Sequence, residues 1–348
     1  MTFKRNCMNR PDRKTACDLI TPTVSVIIPI YNGVQYISTA IESVLNQVFT
    51  DYEILVINDG SPHTEKLEQT LDRYRGEIIY LKQENRGPSG ARNRGILAAR
   101  GDFVAFLDAD DYWQPDFLSE QVAFIQKNRS LDLVYADALI IGDSPLAGKT
   151  FMQTTPSRGE VTLESLLDER CTVILSGVVA RRKTIIDAGM FDENFRYAED
   201  YDLWLRLAKS GARLSYQRKV LLCKRKHKES LCADVTVLFE NALHVLEKAG
   251  RGYGLSEGER AALIDHEDKL IAFLKLERGK DRLLRGEFDQ ATSLIKEANR
   301  FYRSWKLRSV LLGLRIWPNL LLRVYNSRRL THVKPENVTE PMVVRSYE

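Results

Sequence analysis

Cysteine is scarce in this chain of 348 residues, which has five, an odd number: Cys7, Cys17, Cys171, Cys223 and Cys232. No two of them form a C-x-x-C pair. Neither a disulfide framework nor a thiolate zinc site is therefore indicated, and reduced thiols in a cytosolic protein are expected. A long apolar run is also lacking. Residues 1–20 are polar and charged, without the apolar core of a secretory leader. The longest apolar stretch near the C-terminus, 310–324, is interrupted by Arg315, Pro318, Asn319 and Arg323, too often for a spanning helix. Neither charge dominates: 51 Lys and Arg stand against 47 Asp and Glu, a net +4. That balance lacks the strong basic stripe of a nucleic-acid binder, so no nucleic-acid partner is expected. His63, His244, His266 and His332 form no ligand cluster. The expectation is a cytoplasmic protein, soluble or peripheral on the inner face of the plasma membrane.

What is present is enough for a core, since hydrophobic residues make up 44% of the chain. The length allows one large or two moderate domains, at about 150 residues each. The first hundred residues alternate two patterns. Short, β-branched apolar runs at 24–30, 52–58, 78–82 and 103–107 read as buried strands. Between them, 36–47, 65–74 and 88–100 carry apolar residues at helical spacing, the last with Pro88 at its start. Such alternation predicts an α/β fold: a mostly parallel sheet with helices on both faces. Further on, 132–141 reads as a strand, 142–148 as a loop, 161–168 and 201–210 as helices, and 213–223 as an edge strand. From about Thr236 helical periodicity takes over, with a glycine-containing hinge at 251–256. Three small antiparallel helices are predicted after it, at 260–276, 280–285 and 288–300. Residues 286–298 resemble half of a tetratricopeptide hairpin, but no second copy follows at a fixed period. The expected organisation is a tail at 1–22, a catalytic domain at 23–235, a helical region at 236–330 and a tail at 331–348.

In an open α/β sheet ligands bind beyond the carboxyl ends of the strands. Three polar clusters fall at those ends: Tyr31-Asn32, Asn58-Asp59-Gly60 and Asp108-Ala109-Asp110-Asp111. They are expected to converge on one site. Hard carboxylate oxygens on a short turn hold Mg²⁺ or Mn²⁺, and such an ion can bridge to a diphosphate. Asp108 either shares that role or bonds a ribose hydroxyl and leaves the metal to Asp110. Taken alone the motif is equally a solvated acidic turn; its place beside two other polar strand ends favours the site. The Asp59 carboxylate can accept a bond from a nucleobase N–H, or cap a helix or Asx turn. Tyr31 can stack on the base or simply pack at the strand end. In Asn85-Arg86-Gly87-Pro88-Ser89-Gly90-Ala91-Arg92-Asn93-Arg94-Gly95, Arg92 and Arg94 lie on the first turns of a helix whose N-terminus attracts anions.

The run Val24-Ser-Val-Ile-Ile-Pro-Ile-Tyr-Asn32, then Asn58-Asp-Gly-Ser61, then Asn85-x-Gly-x-x-x-Ala-Arg-Asn-x-Gly95 and Phe106-Leu-Asp-Ala-Asp-Asp111, closely resembles family 2 glycosyltransferases of the GT-A fold. The resemblance covers roughly residues 23–230, and the joint occurrence of these motifs in order is highly specific. It implies a nucleoside-diphosphate-sugar donor, a divalent metal (Mn²⁺ or Mg²⁺) and an inverting displacement at the anomeric carbon. Donor-nucleotide contacts are implied for Pro29, Tyr31, Asn32, Asp59, Asn85, Arg92 and Asp108, and a metal ligand for Asp110. Ala198-Glu-Asp-Tyr-Asp-Leu-Trp204 resembles the family's acceptor-side acidic motif. There Asp200 matches the general base, with Glu199, Asp202 and Trp204 beside it. An acceptor hydroxyl is a poor nucleophile until a carboxylate takes its proton. Acids at a helix start are also favoured by the dipole alone, and Trp204 can equally pack against the sheet. In Cys223-Lys-Arg-Lys-His-Lys-Glu-Ser230, Arg225 and His227 match loosely a segment that closes over the diphosphate. His227 is a candidate metal ligand and Arg225 a candidate phosphate contact, although the extra lysines depart from the commoner pattern.

The C-terminal region adds an interface signal. No Asp or Glu lies between Arg300 and Leu330, while Arg300, Arg303, Lys306, Arg308, Arg315, Arg323, Arg328 and Arg329 are basic. Trp305, Trp317 and aliphatic residues are interleaved. Such a stretch suits an anionic membrane surface, where lipid-linked acceptors lie; it also suits a helix packed on the catalytic domain with a solvated basic face. The expected function is sugar transfer to a hydroxyl of a glycan or lipid-linked acceptor, of the polysaccharide or cell-surface type. Two other functions share some of these features. A sugar-1-phosphate nucleotidyltransferase would want a basic Gly-rich loop where Tyr31-Asn32-Gly33 stands. A non-catalytic sugar-nucleotide or glycan-binding protein would not need acidic motifs at both Asp108 and Asp200.

Overall fold

The computed structural model describes residues 21–227 and 234–331. The N-terminal tail through residue 20, Cys7, Cys17, Cys232, residues 228–230 of the basic segment and the C-terminal tail from His332 lie outside the described residues. So do the side chains of Arg328 and Arg329.

The first half of the sheet follows from its apolar runs. Strands β1 (Val24–Ile30), β2 (Tyr52–Asp59), β3 (Ile79–Gln83) and β4 (Phe103–Phe106) are all parallel, in the spatial order β3-β2-β1-β4. Helices α1 (Val34–Leu45), α2 (Thr64–Leu71) and α3 (Gly87–Ala98) connect them. The strands lack an alternating pattern because both faces are covered. Val26, Ile28 and Ile30 of β1 pack into one core with Ile37 and Ile41 of α1. Ile27 points the other way, into a second core with Ala91 and Ile96 of α3. Residues buried on both sides read as a continuous apolar run.

The second half adds antiparallel strands to the mostly parallel sheet. After β5 (Tyr112–Trp113) and α4 (Phe117–Lys127) comes β6 (Leu133–Gly142), then α5 (Phe151–Thr154) and α6 (Leu163–Leu167). Strand β7 (Val178–Arg181), followed by α7 (Arg182–Asp187) and α8 (Glu199–Lys209), inserts between β4 and β6 and runs antiparallel to both. Strand β8 (Leu214–Lys226) is parallel to β6, and the full order is β3-β2-β1-β4-β7-β6-β8-β5. The sheet is therefore mixed. Strand β8 is not an edge: β5, two residues long, pairs antiparallel with it and closes the sheet. Two residues are too few to show a period, which is why β5 escapes a reading by pattern; β7, with four, escapes it too.

Five helices follow: α9 (Val235–Gly252), α10 (Glu257–Leu284), α11 (Phe288–Tyr302), α12 (Trp305–Ile316) and α13 (Pro318–Thr331). The helices expected at 260–276 and 280–285 are one continuous helix of 28 residues. Gly279, which looks like a break, is a contact point instead. A Cβ there would meet Ile295 Cγ1 of α11 at 2.8 Å, so the glycine lets two helices cross closely. The chain breaks at Gly286, whose φ is 77°. No helix among the described residues is long and apolar enough to cross a membrane. Among the described residues, Cys171 and Cys223 are buried and form no disulfide.

Candidate active site

The registers of β1, β2 and β4 bring their carboxyl ends to one rim. Ile30 lies opposite Asn58, and Leu107 N–H bonds Ile27 C=O at 3.1 Å. Tyr31, Asn32, Asp59 and Asp108 therefore share an edge of the sheet. Tyr31 and Asn32 are exposed there and Pro29 is half-buried. Asp59 is buried, and its Oδ1 accepts from Gln83 Nε2 at 2.7 Å and from Arg86 N–H at 2.9 Å. Gly60 has φ 70°, and a Cβ on it would stand 2.8 Å from the Asn85 nitrogen, so the loop after β2 is pressed onto the start of α3. Asn85 Oδ1 accepts from Gly87 N–H at 3.2 Å, which turns part of its side chain to the backbone.

The acidic turn after β4 gathers its carboxylates. Asp108, Asp110 and Asp111 each offer a ligand oxygen, all within 4.8 Å of one another. Strand β8 is drawn over them by β5. Arg225 N–H bonds Asp111 Oδ1 at 2.8 Å, Arg225 Nε bonds the Asp110 carbonyl at 3.1 Å, and His227 Nε2 lies 2.9 Å from Asp110 Oδ2. The structure thus brings His227 and Arg225 to the acidic turn. Lys224 Nζ stands 3.6 Å from Asp111 Oδ2, an oxygen that is buried without a hydrogen-bond partner among the described residues. Burial pushes the Asp111 carboxyl up to about 6; Lys224 opposes this, and Asp110 and Asp108 add to it. Crowded hard oxygens, one of them orphaned and one beside an imidazole, are a donor set that fits a divalent cation.

On the opposite wall, α8 starts at Ala198, a non-glycine residue with φ 56°. The next four residues divide between site and core. Glu199 Oε1 accepts from Arg92 Nη1 at 2.6 Å, and Arg92 Nη2 bonds Asp108 Oδ1 at 2.8 Å. One buried guanidinium thereby ties the start of α8 to the acidic turn. Arg92 is not an open anion-binding cation at the head of α3, as its place in sequence suggests. It is spent on two carboxylates and lies over the Phe191 ring. Arg94, its companion in the sequence reading, is exposed.

Asp200 is half-buried, and its Oδ1 accepts from Tyr201 N–H at 2.8 Å. Burial raises its carboxyl above the usual range, Arg92 pulls it down, and Asp108 pushes it up, so Asp200 shares the field of the acidic turn. Burial also pushes Glu199 up to about 7, against the pull of Arg92.

Asp202 and Trp204 are not brought to this cleft. Asp202 is fully buried and bonded by Arg206 at 2.9 Å and Lys248 at 2.7 Å. Trp204 is part of the core between α8 and the sheet. The helical period turns Asp202 away from Asp200, and Trp204, one turn beyond Asp200, is buried where α8 runs on into the core.

Three residues that the sequence does not single out join the site. Tyr36 lies with its ring centre 5.1 Å from that of His227 and 4.9 Å from the Arg225 guanidinium carbon. Ser176 Oγ accepts from Asp108 N–H at 3.3 Å. Lys224 adds its charge to the Asp108, Asp111 and Asp200 environments. Only Tyr36 carries a signal, being on the first helical turn after Tyr31-Asn32-Gly33; the other two depend on how β7 and β8 insert.

Comparison with known proteins agrees with this geometry. The family description "Glycosyl transferase family 2" matches residues 25–182. A UDP-Glc:alpha-D-GlcNAc-diphosphoundecaprenol beta-1,3-glucosyltransferase of Escherichia coli, WfgD, is 34% identical over 189 residues, 54% of this chain and 70% of that protein. Uncharacterised glycosyltransferases of Rickettsia also match, and the chain spans less than two thirds of the length of each. Among solved structures, TarS of S. aureus with UDP-GlcNAc covers 89% of this chain and 92% of its own, at TM-score 0.55 and 22% identity. Mannosyltransferase PcManGT of Pyrobaculum calidifontis, in complex with GDP-Man and Mn²⁺, covers 92% and 89%, at TM-score 0.58 and 17% identity. These two share the fold, a GT-A-like curled sheet followed by helices.

Proposed function

The chain belongs to glycosyl transferase family 2, and from that premise we propose that it transfers a sugar from a nucleoside-diphosphate-sugar donor to a hydroxyl of a glycan or lipid-linked acceptor. One observation supports the reading: Arg92 joins the acidic turn to the start of α8 through Asp108 and Glu199, and the Asp200 carboxyl next to Glu199 feels the charges of Arg92 and Asp108. The donor nucleotide lies along the rim, over Tyr31 and Asn32, against Pro29, Asp59 and Asn85, with Asp108 at the ribose or the metal. Asp110, with His227 beside it, would hold Mn²⁺ or Mg²⁺. A cation there would offset the charge that develops on the leaving diphosphate. The manganese of the archaeal mannosyltransferase supports the choice of ion. Arg225 is a further contact for the diphosphate.

Asp200 acts as general base. The acceptor oxygen attacks the anomeric carbon from the side opposite the leaving group, its proton passes to the Asp200 carboxylate, and the carbon–oxygen bond to the diphosphate breaks, with inversion. Residues 23–235 carry every group in this reading, and residues 236–330 brace it. The names of related proteins, which include amylovoran biosynthesis glycosyltransferase AmsB of Erwinia amylovora, support a role in polysaccharide assembly.

A panel of nucleotide sugars, screened with Mn²⁺ for thermal stabilisation and then for turnover, identifies the donor. Asp200→Asn is expected to keep donor-dependent stabilisation and to lose ~10²–10⁴-fold in turnover. Near-normal turnover of that variant would remove Asp200 from the role. Asp110→Ala is expected to abolish metal-dependent donor binding in calorimetry.

A further inference from the structure

Helix α12 is apolar on two sides, and among the described residues only one side packs against a neighbour. Leu307, Val310, Leu311 and Leu314 face inward and pack with Leu283, Ala291 and Ile295 of α10 and α11. On the other side Trp305, Leu312 and Ile316 are exposed, Trp305 at 70% and Leu312 at 57%. With Ser309 they follow i, i+4, i+7, i+11 spacing, which places them in one stripe along the helix.

The stripe continues past the turn. Trp317 is 65% exposed, and on α13 Leu320 and Val324 repeat the one-turn spacing outward. The two helices cross closely at Gly313, where a Cβ would lie 3.5 Å from Leu321 Cδ1. An ordinary solvated helix places polar residues where this hairpin places tryptophan and leucine.

The flanks of the stripe have one charge. Arg308 and Arg315 are exposed beside it on α12, and Arg323 is exposed in the corresponding place on α13. No acidic residue occurs anywhere from Arg300 to Leu330. A stripe of tryptophan and aliphatic residues bordered by arginine complements the boundary between acyl chains and anionic headgroups, where the rings sit at headgroup depth and each cation meets phosphate. A protein groove would more often match such a helix with carboxylates of its own.

We propose that the α12–α13 hairpin is a docking surface for an anionic phospholipid membrane, lying in the interfacial plane with Trp305, Leu312, Ile316, Trp317, Leu320 and Val324 inserted. The inference stands apart from the chemistry of the cleft, since none of these residues contributes to it.

The test uses the full chain, sedimented with phosphatidylcholine vesicles that contain or lack phosphatidylglycerol. Binding is expected to the anionic vesicles alone, with a blue shift in tryptophan emission. At about 1 kcal/mol per arginine near the surface, roughly fivefold in affinity, Arg308→Gln with Arg315→Gln is expected to weaken binding by roughly 25-fold. Trp305→Ser, Leu312→Ser and Ile316→Ser together are expected to abolish it while leaving the melting temperature unchanged, because these side chains already face water. The proposal is overturned if the wild-type chain stays in the supernatant with anionic vesicles, or if the triple variant sediments as the wild type does. It is equally overturned if sedimentation velocity without lipid finds a dimer that the triple variant dissociates, for the stripe would then belong to a second copy.

Discussion

Arg92 is the residue on which the two walls of the cleft depend. It is buried, and its partners Asp108 and Glu199 stand 16 and 107 positions away in the chain. Breaking a buried ion pair costs far more than the pair contributes, because the charges left behind have lost their water as well as their partner. Arg92→Gln is therefore expected to destabilise the fold by ~3–5 kcal/mol in urea unfolding. The double variant Arg92→Gln with Glu199→Gln is expected to recover part of that loss, since it leaves one orphaned carboxylate instead of two. A double variant weaker than Arg92→Gln alone would show that Glu199 is stabilised by something other than this guanidinium. The same arrangement marks the limit of reading residues in sequence. The acidic turn, Asp59 and Tyr31 are legible, because each follows an apolar strand and strand ends are where such sheets bind ligands. Arg92 is legible as a cation on the first turns of α3, but its partner lies on a helix that only tertiary packing delivers. Asp202 shows the converse: a run of acids at a helix start looks uniform, yet the 3.6-residue period sends Asp200 to the cleft and Asp202 to Lys248 and Arg206.

At the scale of elements, the joint between α6 and α10 sits just behind the candidate base. His266 Nδ1 donates to Leu167 C=O at 2.8 Å, and Tyr201, next to Asp200, bonds Leu166 C=O at 3.2 Å. Glu169 follows α6 with φ 59° and is paired with His266 and Lys269. A glutamate in the left-handed region is strained, and this ion pair helps to hold it there. Burial works to raise the Glu169 carboxyl, but the hydrogen bond from His266 and the charges of His266 and Lys269 overcome it and hold it at about 2. A folded value below the unfolded one means the contribution is complete above the unfolded pKa, ~4.3, and is lost as pH falls toward 2. Glu169→Gln is thus expected to lower the melting temperature at pH 7, with a deficit that shrinks below about pH 4 and closes only as pH falls through about 2, where the wild-type carboxyl protonates. A deficit that persists unchanged at low pH would assign the effect to packing instead of charge. Pattern reading reached β1–β4, β6, α1–α3, α8 and α11 to within a few residues. It passed over α4, a helix of 11 residues, did not reach β5 and β7, and broke α10 just before Lys280, at Gly279. A glycine inside a helical pattern signals either a stop or a close approach, and only the neighbouring helix distinguishes them.

For the whole molecule, the change of composition near Thr236 separates strands from helices but does not separate two cores. Val245, Leu246 and Ala249 of α9, with Leu263 and Leu270 of α10, belong to the same buried cluster as Leu203, Trp204 and Leu207 of α8 and the sheet behind them. Lys248 crosses that boundary to bond Asp192 at 2.8 Å and Asp202 at 2.7 Å. The far end of α10 belongs elsewhere, with Leu283 in the small core of α11 and α12. The 28-residue α10 therefore ties both cores, and its two halves differ in what they hold. Burying Val245, Leu246, Leu263 and Leu270 is worth on the order of 6–12 kcal/mol at about 1.5–3 kcal/mol per side chain. That is comparable to the whole net stability of an ordinary domain, ~5–15 kcal/mol. A chain ending at residue 234 is accordingly expected to lose cooperative unfolding, although every residue of the proposed site remains in it. A chain ending at Gly286 keeps α9 and the whole of α10 but none of α11–α13, so it is expected to unfold cooperatively near the midpoint of the full chain while losing only the outer core. Circular dichroism melts of the two truncations decide the matter. If the shorter chain melts cooperatively at the midpoint of the full chain, α9 and α10 merely rest on the sheet; if both truncations collapse, the outer core supports the inner one through α10.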